Sequence, residues 1–92
     1  MNKEELELEL DLIENAISLG LPEHQNNLGC MYFEGIGIKQ DYKKSVEWFK
    51  KSASQGFSEA QFNLGIMYRS GKGIKKDNEE SFKWFLLALN QK

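Results

Sequence analysis

Ninety-two residues, 40% apolar and 28% charged, describe one small globular domain and exclude a disordered chain. The net charge of −2 divides unevenly: residues 1–14 carry six acids against one lysine, and residues 15–92 carry eight acids against eleven bases, too weak a positive field for nucleic-acid binding. No stretch approaches a membrane span, the opening "MNKEELELEL" lacks the apolar centre of a signal peptide, and the single Cys30 has no partner for an internal disulfide, so a reducing, cytoplasmic compartment is expected.

The first predicted element is ambiguous by period alone. "ELELELDL" at residues 5–12 alternates as a half-buried strand would, yet Leu and Glu are strong helix formers and no β-branched residue occurs before Ile13. The repeat described next resolves this in favour of a helix over residues 4–19.

From residue 20 the chain repeats itself. Residues 20–55 align with 56–91 without a gap, and seventeen of the 36 pairs are identical. A 36-residue period is the length of a helix–turn–helix unit in a solenoid. Pro22 suits the first position of a helix running to about Phe33. Ser58-Glu-Ala-Gln61 reads as a capping box opening its equivalent. Gly35 and Gly71 end these first helices (A). Asp41 and Asp77 stand at the N-caps of the second helices (B), which reach about Ser54 and Asn90; Asp77 and Glu80 read as a further capping box. Carried backwards, the register aligns Leu10, Leu12, Ile13, Ala16 and Ile17 with Val46, Trp48, Phe49, Ser52 and Ala53. The N-terminal segment is thus a helix B without its helix A.

The Gly35-x-Gly37 and Gly71-x-Gly73 turns are not phosphate loops. They follow helices rather than strands and lack the Lys-Ser/Thr pair that opens a nucleotide-binding helix. The unit of Leu28-Gly29, Tyr32, Gly35-x-Gly37-Ile38, Asp41, Ser45, Trp48 and Ser52-Ala53 resembles the Sel-one-like repeat (SLR), a relative of the tetratricopeptide repeat. The second unit supplies Ala60, Leu64-Gly65, Tyr68, Gly71-x-Gly73-Ile74, Asp77, Ser81, Trp84 and Ala88; His24 replaces the first Ala. The resemblance implies an all-α, right-handed α-solenoid of about five helices. Residues 1–19 would form a half repeat, 20–55 the first repeat and 56–92 the second. Gly29 and Gly65 cost about 1 kcal/mol each inside a helix, a cost offset if helix B needs to approach there. Tyr32, Tyr68, Trp48 and Trp84 have the size to fill the wedge between paired helices.

Catalytic equipment is sparse. His24 and Cys30 are six residues apart, which is not a facing spacing on a helix, and Cys30 aligns with Ile66 as a small apolar residue. No zinc-finger or EF-hand spacing occurs, so neither a metal nor another cofactor is expected, and no catalytic residue is assigned. Some cysteine-rich bacterial members of the family are linked to β-lactam binding or hydrolysis; they carry a disulfide in each repeat, which this sequence does not.

The resemblance therefore implies a non-enzymatic protein-binding module of the bacterial cytosol. It would be a small adaptor or a cognate inhibitor such as a toxin-neutralising immunity protein. The alternatives are a small β-lactam-binding enzyme and a fragment of a longer repeat scaffold. In related repeats the concave positions correspond to Asn26, Cys30, Phe33 and Glu34, matched by Phe62, Ile66, Arg69 and Ser70. Every pair differs between the copies while Leu, Gly and Tyr beside them are identical. A second surface is expected on the last helix, where "WFKKSA" at 48–53 becomes "WFLLAL" at 84–89. Leu86, Leu87 and Leu89 cannot all face inward, and a homodimer or a partner would cover them. The acidic N-terminal helix is expected to present a polar outer face, as terminal elements of solenoids need.

Overall fold

Neighbours in the chain are neighbours in space throughout the computed structural model, which describes residues 2–90. Five helices follow one another: α1 (Lys3–Ser18), α2 (Pro22–Glu34), α3 (Tyr42–Ser54), α4 (Ser58–Ser70) and α5 (Asn78–Leu89). They stack into a body 44 Å long and 16 Å at its thinnest. The principal contacts are α2 with α3, α4 with α5, and α3 with α4. The all-α solenoid expected from the repeat is the fold, and the alternating N-terminal segment is helical.

The helix ends follow local chemistry. Asn2 caps α1 by accepting the Glu5 N–H at 2.8 Å, and Asp41 and Asp77 accept from Lys44 and Glu80 at 3.1 Å each. Gly35 and Gly71 close α2 and α4 in the left-handed region, at φ 72° and 70°. Neither expected capping box is complete. Ser58 is already the first helical residue of α4, and the N-cap is Phe57, with no side-chain cap; the Phe57 ring packs against the core and draws the helix start one residue back. At α5 the box is half formed, because the Asp77 N–H donates to the Tyr68 carbonyl at 2.9 Å and leaves nothing for Glu80 to accept.

Within each unit the helices meet at a glycine. A Cβ on Gly29 would lie 2.6 Å from the Phe49 ring, and one on Gly65 2.6 Å from the Phe85 ring. Beside each glycine a buried serine spans the helices: Ser45 Oγ donates to the Gly29 carbonyl at 2.7 Å, and Ser81 Oγ to that of Gly65 at 2.8 Å. Between the units, Val46, Phe49 and Ala53 of α3 close on Ala60, Leu64 and Met67 of α4 as the main core. Tyr32 and Trp48 fill the wedge with Leu28, as expected. Tyr68 and Trp84 are only half-buried.

The N-terminal helix departs from expectation. Leu8 and Leu12 are exposed among Glu4, Glu5 and Asp11, so its outer face is mixed and not uniformly polar, and Ile13 is exposed towards the hollow beside α2. Leu12 and Ile13 hold the register positions of Trp48 and Phe49, which pack on the helix A of their own unit, and no described residue takes that place before α1. On its inner side, Ile17 touches the Leu28–Tyr32–Trp48 cluster, and Glu14 accepts the Tyr32 hydroxyl proton. Gln25 Nε2 caps the end of α1 by donating to the Ile17 and Ser18 carbonyls at 3.0 Å each. Gln61 does the same for the Ala53 carbonyl of α3 at 3.3 Å.

Candidate functional site

A furrow runs between α2 and α4. Its wider part, about 460 Å³, is lined by Asn26, Cys30, Phe62 and Asn63 and reaches Leu89 at one end. A narrower part of about 170 Å³ continues past Cys30 and Asn63 to Phe33, Glu34 and Ile66. The repeat positions singled out in the sequence are thus brought onto one surface, with Arg69 and Ser70 outside it. Leu89 joins this surface as well, whereas Leu86 and Leu87 are exposed elsewhere on α5.

The side chains differ in how free they are. Phe62 is 52% exposed and lies 5.2 Å, ring to ring, from Phe85. The Arg69 guanidinium stands 5.5 Å from the same Phe85 ring, a cation–π contact that holds it near Phe62. Asn26 is buried on the furrow floor, where its Oδ1 accepts from Asn63 Nδ2 at 3.1 Å. Ser70 turns back on its own helix, its hydroxyl donating to the Ile66 carbonyl at 2.8 Å. Phe33 is committed to joining the units: its ring lies 5.2 Å from Tyr42, and Lys72 Nζ sits 5.3 Å from the Phe33 centroid and 5.4 Å from that of Tyr42.

Asn63 is a furrow residue that sequence reasoning missed. It is identical to Asn27 in the other copy, so a search for positions that vary between copies passes over it. The available signal was its register, 37 residues from Asn26, which sets the two amides across the joint between units.

The furrow thiol is not activated. Burial raises the Cys30 pKa, and Glu34 and Glu59 add to the rise, so the thiol is protonated at neutral pH. His24 lines a separate hollow on the α1 side of α2, while Cys30 faces the α4 side. Among the described residues no group of His, Cys, Asp or Glu is arranged to hold a metal ion, and no helix is long and apolar enough to cross a membrane.

Comparison with known proteins agrees with this geometry. The Sel1 repeat matches twice, over residues 22–57 and 58–92. Among solved structures, a Sel1 repeat protein from Oxalobacter formigenes is 48% identical with a TM-score of 0.75, over 76% of this chain and 29% of its own. A protective antigen present in uropathogenic Escherichia coli strains, described as displaying an SLR fold, is 47% identical with a TM-score of 0.75, over 76% of this chain and 15% of its own. The chain therefore spans less than a third of either structure. No curated protein matches it.

Proposed function

The chain belongs to the Sel1 repeat family, and from that premise we propose that it is a non-enzymatic module holding a segment of a partner protein in the furrow between α2 and α4. Sel1 repeats commonly mediate protein binding. The observation that carries the reading is the furrow itself. It gathers Asn26, Cys30, Phe62 and Ile66, positions that differ between the copies, while the Leu, Gly and Tyr positions beside them are held for packing. Phe62 offers an exposed aromatic anchor with Arg69 beside it, the residue types that dominate binding energy at interfaces. The role we assign to this furrow is that of a small adaptor or a cognate inhibitor, such as an immunity protein neutralising a toxin in the bacterial cytosol. A β-lactam-binding enzyme gains no support from a protonated Cys30 on the opposite side of α2 from His24.

The test is affinity capture on the wild type and on Phe62→Ala/Arg69→Ala, both checked for helicity, with captured proteins identified by mass spectrometry and the affinity then measured on the purified partner. The double variant is expected to bind about 10- to 100-fold more weakly. Equal affinity in the folded double variant overturns the furrow as the binding face.

A further inference from the structure

Among the described residues the joint between α3 and α4 is made once, and its two halves recur on the outer face of α5 and on the face of α2 beneath α1. On the giving side, α3 offers Val46, Phe49 and Ala53 to α4, all nearly fully buried. The same register positions on α5 are Phe82, Phe85 and Leu89, of which Phe82 is 62% and Leu89 79% exposed. Phe85 is half-buried against Gly65 and Phe62.

On the receiving side, Met67 is 1% exposed under α3, while its counterpart Met31 on α2 is 38% exposed. The turn at Gly73 is so close to the start of α3 that an added Cβ would collide with the Tyr42 carbonyl. A Cβ on Gly37 would meet nothing nearer than the Met31 methyl at 3.8 Å. The helix lying over this receiving face is α1, and it fits badly. Where α3 and α4 have Ala53 and Ala60, both buried, α1 and α2 have Ile17, half-buried, and His24, exposed. The gap is a hollow of about 570 Å³ bounded by Leu10, Ile13, His24, Met31, Gly37 and Ile38.

We propose that copies of this chain associate head to tail, α5 of one copy docking on α2 and the Gly37 turn of the next in the manner of α3 on α4. In this joint α1 is a loosely seated plug that α5 displaces. The occupant follows from the internal joint: the exposed face of α5 has the register of a helix B, and the face of α2 that α1 covers incompletely is the one that receives a helix B. The contact is heterologous and does not close on itself, so assemblies lengthen with concentration. His24 and Leu89, where the internal joint has two alanines, keep it looser than the internal one.

Sedimentation velocity and light scattering over a concentration series read the proposal directly. Wild type should show an average mass that rises continuously beyond the dimer. Ile17→Asp loosens α1 without touching either docking face, and should tighten association about tenfold, in proportion to the open fraction it adds. Phe82→Glu lacks the giving face and Met31→Glu the receiving face. Each should be monomeric alone, and their mixture should form a heterodimer and nothing larger, because one intact pair of faces remains. Leu89→Glu serves in place of Phe82→Glu if the latter loses helicity. Wild type and Ile17→Asp that both stay monomeric overturn the proposal. Self-association of folded Met31→Glu also overturns it, since that points to a symmetric α5–α5 pair. So does a mixture that stays monomeric.

Discussion

The Phe49 ring lies against the backbone of Gly29, where a Cβ would stand 2.6 Å from two of its carbons, and Phe85 lies against Gly65 in the same way. The two sites are not equally stiff. Phe49 is packed on both sides by the neighbouring units, whereas Phe85 is half-buried. Gly29→Ala is expected to destabilise by about 1–2 kcal/mol, the overpacking cost less the gain in helix propensity. Gly65→Ala should lie close to zero, because the Phe85 ring can yield. Urea unfolding of the two variants measures the difference, and equal destabilisation would contradict the packing described.

Gln25 holds α1 to the repeats through its two hydrogen bonds to the Ile17 and Ser18 carbonyls. Gln25→Ala should release α1 while leaving α3 and α4 in place. Hydrogen exchange is the suitable readout, since it resolves local opening from global unfolding. Amides of residues 5–18 should lose protection by about tenfold, with those of α4 unchanged. Uniform loss across all helices would show that Gln25 supports the core and not the plug alone.

Tyr32 gives the fold a sensitivity to alkali. Burial first, then its hydrogen bond to Glu14, raises its phenol pKa above the usual value near 10. The folded state therefore keeps a proton that the unfolded state releases. This contribution is complete below about pH 10 and is lost as the pH climbs above it. Tyr32→Phe should be less stable at pH 7 by about 1 kcal/mol and should show a shallower loss above pH 10. Thermal melts of both proteins between pH 7 and 11 check the slope, and parallel curves would be the contrary result.

Cys30 should react slowly with alkylating reagents. Its raised pKa lowers the thiolate fraction at pH 8, and the furrow half-buries the sulfur. Iodoacetamide labelling in native buffer is expected to be more than tenfold slower than in urea. Labelling at the rate of a free thiol would mean that the furrow is open at Cys30.

The repeat was legible because its parts act locally. Pro22, Asp41, Asp77 and the turn glycines set helix ends by their own backbone chemistry, and the 36-residue register carried that reading to residues 3–18, where composition was ambiguous. Ser58 misled because a local cap competed with the burial of Phe57, and burial prevailed. The furrow was legible at Cys30, Phe62 and Ile66, whose variation between copies marks them out. It was not legible at Asn63, whose role arises from a partner across the joint, nor at Ser70, whose hydroxyl has a carbonyl of its own helix within reach. The apolar part of the α1 surface was not legible because six acids in its sequence suggested a wetted helix, and Leu8 and Leu12 stand exposed between Glu4 and Glu5 on the same face.

The serine links that join helix to helix, Ser45 to Gly29 and Ser81 to Gly65, each close a loop of only sixteen residues. Such short closures cost little chain entropy, and topologies built from them fold in microseconds to milliseconds. The chain need not wait for its ends to meet. The α3–α4 joint, with Leu64 and Met67 almost wholly buried, is the natural nucleus, and growth proceeds outward one helix at a time. On that route α1 arrives last and departs first, so a chain emerging from the ribosome spends an interval with α2 uncovered until the helices behind it have formed and α1 can settle.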